Sequence, residues 1–234
     1  MNAMKNNLLG LCIMAGLVVL GCAIPASVKI LKSYDRTVSV KGLCEREVAA
    51  DKVIWPLVFK VAGNQLPAVS GEIAEKTGRI EQYLRNGGVE ESEITVAMPK
   101  ISDKDANEYG GNDRTYRYVA TCTVTVCSQD VQKVLALMTD TNSLIDQGVV
   151  LSNDWESTPQ FRFEGLNDIK PEMIEEATKN AREVALKFAK DSDSTLGKIK
   201  DATQGTFSIE DRDSNTPSIK KVRVVTYVTY YLEK

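Results

Sequence analysis

Residues 35–63 read DRTVSVKGLCEREVAADKVIWPLVFKVAG, and the fold turns on how this stretch alternates. Val38, Val40 and Gly42 oppose Thr37, Ser39 and Lys41, and a second run follows from Lys52 to Ala62. Successive side chains of an extended chain point to opposite faces, so a period of two predicts two β-strands here. Pro56 falls inside the second run. Without an N–H to donate, it predicts an edge or a bulge.

The period then changes. Val69, Ile73, Ile80 and Leu84 recur at helical spacing between Pro67, suited to a first turn, and Gly87-Gly88, suited to a stop. The spacing predicts a helix over 67–86. SEITVAMPKI (92–101) and TYRYVATCTVTV (115–126) read as strands. A shorter helix is predicted over 129–144, capped by Ser128, with Val131, Val134, Leu135 and Met138 inward. GVVLSNDWESTPQFRFEG (148–165) is strand-like. A long helix follows over 171–190, with Ile174, Ala177, Ala181, Val184, Ala185 and Phe188 on one face. GKIKDATQGTFSI (197–209) and IKKVRVVTYVTYYL (219–232) complete the set as strands. The last is apolar on both faces, through Val224, Val225 and Val228 beside Tyr227, Tyr230 and Tyr231. That predicts a central strand covered on both sides, with a partner surface as the alternative.

The order of elements repeats. FKVAG (59–63) matches FRFEG (161–165), and each glycine is followed shortly by a proline that opens a helix, Pro67 and Pro171. Each helix leads to a strand, an acidic polar loop and another strand. The expected fold is α+β, a duplicated strand-helix-strand-strand unit over about 52–127 and 149–233. Its helices would pack on a largely antiparallel sheet, within a domain spanning 37–234.

Ahead of that domain, residues 6–28 carry no charge. As a helix they would extend ~34 Å, enough for a bilayer core of ~30 Å. The expectation is a tail over 1–7, a transmembrane anchor over 8–28 and a linker over 29–36. Two rivals stay open. VLGC (19–22) resembles a lipobox, which makes Cys22 a candidate lipidation site, and GCA (21–23) offers small residues for ordinary signal cleavage. The apolar run continues past Cys22 through Ala23, Ile24, Ala26 and Val28, which favours the uncleaved anchor. Flanking charges do not orient it.

Composition excludes more than it identifies. The chain has 234 residues and a net charge of -3, which gives no basic footprint for nucleic acid. It has no histidine, which removes Ser-His-Asp and Cys-His catalysis and imidazole metal sites. Of five cysteines, Cys44, Cys122 and Cys127 lie in the domain, an odd number, and are the candidate reactive thiols. Cys122 and Cys127 lie five apart on one strand, on opposite faces and ~16 Å apart, too far to bond to each other. Asp103, Asp105 and Asn107, and likewise Asp211, Asp213 and Asn215, alternate as in a calcium loop. Such a loop needs glycine at its sixth position and a carboxylate at its twelfth. Here those are Glu108 and Arg114, and Thr216 and Val222, so both read as solvated hairpin tips. No catalytic, cofactor-binding or metal-binding residue is assigned.

Two stretches carry a resemblance. Val38, Val40, Gly42, Glu45, Val48, Ala50 and Asp51 match the opening V-x-V-x-G and E-x-x-V-x-A-D pattern of the SIMPL-domain family. Ala177, Ala181, Arg182, Ala185 and Ala189, running into Leu196, Gly197, Lys198 and Ile199, resemble its alanine-rich helix and LGKI. Asp193 departs from it, standing where members often carry glycine in the turn after the helix. The resemblance implies a bacterial envelope protein of α+β fold with a duplicated unit and a tendency to homo-oligomerise. It also orients the anchor, N-terminus inside and domain in the periplasm. Some members are described as periplasmic immunogenic proteins or as contributing to oxidative-stress defence, and no catalytic residue is carried over. The expected function is therefore a membrane-anchored, non-enzymatic, self-associating envelope protein. The alternatives are a thiol-based oxidative-stress protein and a carboxylate-based hydrolase or binding protein; a small-molecule ligand is not identified.

Overall fold

The computed structural model describes residues 14, 16–18, 20, 21, 36–106 and 115–233. Cys22 and most of the 8–28 segment lie outside them. No helix among the described residues is long and apolar enough to cross a membrane.

The fold is mixed α/β with two antiparallel sheets rather than one. In order along the chain, β1 is Thr37–Ala49, β2 Lys52–Gly63, α1 Leu66–Asn86, β3 Ile94–Val96, β4 Lys100–Asp103 and β5 Tyr118–Ser128. Then follow α2 Val131–Thr139, α3 Asn142–Asp146, β6 Gln160–Arg162, α4 Leu166–Asp191, β7 Thr195–Gln204, β8 Ser208–Asp211 and β9 Ile219–Glu233. One sheet has the order β3-β5-β2-β6, with β4 also on β5; the other has β1-β9-β7, with β8 also on β9. The chain divides into two compact units, Met1–Arg46 with Ile169–Ser208 and Arg223–Lys234, and Glu47–Asp168 with Ile209–Val222.

The unit holding β2 and β5 has the larger core. β2 and β5 pair antiparallel from Val53↔Ser128 to Gly63↔Tyr118. The inward residues Val53, Trp55, Leu57, Phe59 and Val61 are buried with Ala120, Val124 and Val126. α1 closes that face with Val69, Ile73, Ile80, Tyr83 and Leu84, as its spacing predicts. Gly88 supplies the positive φ, 81°, on which the chain leaves α1.

Pro56 finds a local edge inside an interior strand. On the flank away from β5, β6 pairs only with Lys52–Ile54, and the next contact is an isolated bridge between Phe59 and Leu151. Val58 turns its carbonyl to Ser152, so Pro56, two residues earlier, faces the same gap and no ladder bond is lost.

Four expectations change. SEITVAMPKI forms two strands on β5, in registers that differ by one residue (Val96↔Val124, then Lys100↔Thr121), because the segment bulges around Met98 and Pro99. The 129–144 helix breaks into α2 and α3, where Thr141 and Ser143 hydroxyls bond nearby carbonyls. Its cap is Asp130, which accepts from Lys133 N–H, while Ser128 accepts from Asp130 N–H. Residues 148–165 are mostly irregular, with one bridge at Leu151, a 3-10 turn at Trp155–Ser157 and the three-residue β6. α4 begins five residues before Pro171, which therefore lies inside the helix, past the first turn whose N–H groups have no partner, rather than opening it.

The matched segments FKVAG and FRFEG occupy unlike positions. β2 flanks β5 over its whole length, whereas β6 pairs with β2 and not with β9. The long strand that flanks β9, opposite β7, is β1. Arg36 O accepts from Leu232 N–H, Ser39 bonds Thr229 and Glu45 pairs with Arg223, all in one antiparallel register.

Candidate functional site

The candidate site lies where α4 crosses β1. Val40, Gly42 and Cys44 alternate inward on β1, and α4 offers them Met173, Ala177, Ala181, Ala185 and Ala189, all buried. Four-residue spacing keeps these on one stripe, and four of the five are alanine. The predicted face was wider: Val184 and Phe188 are instead 36% and 56% exposed. The backbones approach too closely for larger side chains. A Cβ added to Gly42 would lie 1.8 Å from the Ala177 carbonyl oxygen and 2.6 Å from the Ala181 nitrogen.

On the neighbouring row of α4, Glu172, Glu176 and Asn180 reach β1. Arg46 contacts Glu172 at 2.9 Å and Glu176 at 3.7 Å. Asn180 donates to the Leu43 carbonyl at 2.8 Å. Cys44 is buried, and burial first, then its hydrogen bond to the Glu176 carboxylate, pushes the thiol up to about 11. Thiol nucleophiles act as thiolates, so this arrangement holds Cys44 neutral and unreactive. Only the Glu172/Glu176 spacing hinted at these partners.

The other candidate thiols lie on β5. Cys122 is buried against the β2/α1 core, and burial raises its pKa. Cys127 is exposed on the opposite face; all three are free thiols, and the site brings none together. Of the acidic loops, 107–114 lies outside the described residues. Asp103 and Asp105 are held by Arg117 at 2.9 and 3.1 Å. Asp213 accepts from Asn215 and Thr216 N–H, an Asx turn, and the Thr216 hydroxyl and Arg212 hold its carboxyl well below the usual range. Among the described residues no group of three His, Cys, Asp or Glu could hold a metal ion.

Asp51 has a structural task. Its carboxylate accepts from Glu164 N–H at 2.8 and 3.0 Å and from Gly165 N–H at 2.7 Å, just ahead of α4. It thus satisfies backbone donors at a helix start from a distant strand connection. Asp193 ends the same helix with φ 49°, the left-handed conformation that glycine adopts most easily.

β9 departs from its predicted environment. α4 covers its Val224, Val228 and Tyr230 face, but on the other face Tyr227 is 45% exposed, with Val225 and Tyr231 half-buried. Leu43 on β1 is 41% exposed. The Lys41 ammonium lies over the Tyr227 ring at 5.2 Å and that of Lys200 over Tyr231 at 5.6 Å. The strand is central in its sheet, and among the described residues of its unit the helix that packs on it, α4, covers one face.

Residues 38–230 match SIMPL, a family described as a protein of unknown function (DUF541). No curated protein matches the chain.

Proposed function

The chain belongs to the SIMPL family over residues 38–230, and from that premise we propose that it is a non-enzymatic envelope protein whose domain self-associates. One observation carries the self-association: β9, which reads as a doubly covered strand, leaves Tyr227 exposed on an open sheet face, with Leu43 of β1 exposed beside it. Exposed apolar and aromatic groups in one place favour a partner over water.

In this reading the uncharged 8–28 segment anchors the chain in the inner membrane, with the domain on the periplasmic side and a scaffolding role in the envelope. Duplication is part of the same reading. Each sheet has a long central strand, β5 or β9, that follows a helix and is flanked by shorter strands on one side. A long strand, β2 or β1, flanks it on the other. The duplicated unit is therefore better matched through β1 than through β6. Light scattering on the full chain in mild detergent tests the assembly, and a strict monomer at micromolar concentration refutes it. The intact mass of the native chain separates an uncleaved anchor from lipidation at Cys22 and from signal cleavage.

A further inference from the structure

β1 is the terminal strand of its sheet, paired with β9 on one side only among the described residues. Arg36 turns its carbonyl to Leu232 of β9, so residues of even number face β9 and those of odd number face away. The Asn180 side chain meeting the Leu43 carbonyl from beyond the edge agrees with that parity. The backbone groups of Thr37, Ser39 and Lys41 therefore line an open edge, a ready template for another strand.

The other terminal strand, β7, shifts register between Leu196 and Ile199 and again between Ile199 and Asp201. Such irregularities blunt an edge. β1 keeps one register with β9 from Arg36 to Glu45. It is the edge suited to pairing.

Its sequence is also self-complementary. Lys41, Leu43 and Glu45 share the outer, exposed face. Antiparallel pairing of two copies about Leu43 sets Lys41 of each opposite Glu45 of the other, and the two Leu43 side chains together. The Leu43 carbonyl keeps a second lone pair beside its bond from Asn180. The existing contacts of Lys41 with Tyr227 and of Glu45 with Arg223 lie within one chain and continue across the sheet.

We propose that β1 pairs antiparallel with β1 of a second copy about Leu43, joining two β1-β9-β7 sheets into one. The interface is isologous and closes at two copies, so the dimer is the building block of any larger assembly. This rests on the self-association proposed above and places its interface at the β1 edge, beside the Tyr227 face rather than on it.

The test uses the full chain in mild detergent with Cys12→Ser, Cys22→Ser and Cys127→Ser as background, Cys44 and Cys122 being buried, and a short bis-thiosulfonate cross-linker. Leu43→Cys should cross-link to a covalent dimer. Lys41→Cys and Glu45→Cys should each stay largely uncoupled alone, yet cross-link to each other when co-expressed with distinguishable tags. Ser39→Pro removes one edge N–H and spares the backbone ladder to β9, losing there only the side-chain bond to Thr229, which Ser39→Ala removes as the control; the proline variant alone should lose the dimer while its circular dichroism is unchanged. If none of the cysteine variants couples while light scattering still finds multimers, the interface lies elsewhere and this proposal falls. If light scattering finds monomers, self-association falls with it.

Discussion

Substituting Gly42 by alanine tests the tightest site among the described glycines. The added Cβ would meet the Ala177 carbonyl oxygen at 1.8 Å, the Ala181 nitrogen at 2.6 Å and the Ala181 Cβ at 2.8 Å. Favourable separations between non-bonded carbons are ~3.5–4.0 Å, so α4 has to lift by roughly 1–2 Å. These are backbone atoms and a methyl group, which no rotamer change relieves. A gap of ~0.5–1 Å already forfeits a quarter to a half of a dispersion contact, and the whole stripe from Met173 to Ala189 shares the loss. Overpacking a core costs about 1–3 kcal/mol and occasionally more. The expected destabilisation of Gly42→Ala is ~3 kcal/mol, the top of that range. For a domain of this size that lowers Tm by roughly 6–12 °C. Urea unfolding followed by circular dichroism measures it, beside Gly71→Ala as a control. Gly71 lies on the exposed side of α1 with nothing within 4 Å of an added Cβ. Alanine there should stabilise by ~0.5–1 kcal/mol through helix propensity. A Gly42→Ala variant within ~0.5 kcal/mol of the parent would refute the reasoning, because the helix would then have room that the geometry denies it.

Four further outcomes are expected. Cys44 titrates near 11 in the folded chain against an ordinary value of 9.0, so the folded state holds its proton more tightly. Its contribution to stability is complete below pH 9 and is lost as pH rises toward 11. The parent should lose stability more steeply than Cys44→Ala over that window, and equal slopes would contradict the assignment. In native thiol labelling read peptide by peptide, Cys127 should react promptly and Cys44 and Cys122 only on unfolding; early labelling of Cys44 would overturn its buried, carboxylate-bonded state. Asp51→Ala should cost about 1–2 kcal/mol in urea, since it strips the acceptor from Glu164 and Gly165 N–H, and Asp51→Asn should recover part of that loss. Asp193→Gly should raise Tm slightly by relieving a left-handed backbone at roughly 1 kcal/mol or less, and a fall in Tm would show that the carboxylate has a task of its own.

What was legible in the sequence were the strongly periodic elements. β1, β2, α1, β5 and β9 stand where alternation and helical spacing place them, because each buries one face against a layer. The buried face of α4 was harder to see. Val184 and Phe188 outrank alanine in hydrophobicity, yet Gly42 lets the helix sit so close that only the alanine stripe fits beneath it. Hydrophobicity finds the greasy side of a helix, not the side with the shortest approach. The expected strand over 148–165 failed for the opposite reason: its apolar residues are few, and Trp155 among them is 84% exposed. Pairing was the least legible level. FKVAG and FRFEG look alike, but which strand flanks β9 is decided by contacts across most of the chain. The site fared similarly. Cys44 is a visible cysteine, but its burial and its bond to Glu176 were not legible, since Glu176 lies off the apolar face that the spacing of 171–190 picks out.

The bond between Ser39 and Thr229 spans 190 residues. β2 and β5, by contrast, are both available once residue 128 has emerged. A chain threaded vectorially through a ribosome or a membrane channel can therefore close the β2-β5 sheet while β1 still has no neighbour. Until residue 229 arrives, thirteen residues of strand wait with both flanks unsatisfied. In that interval β1 is open to a misdirected strand, and only the arrival of β9 satisfies the flank that faces it.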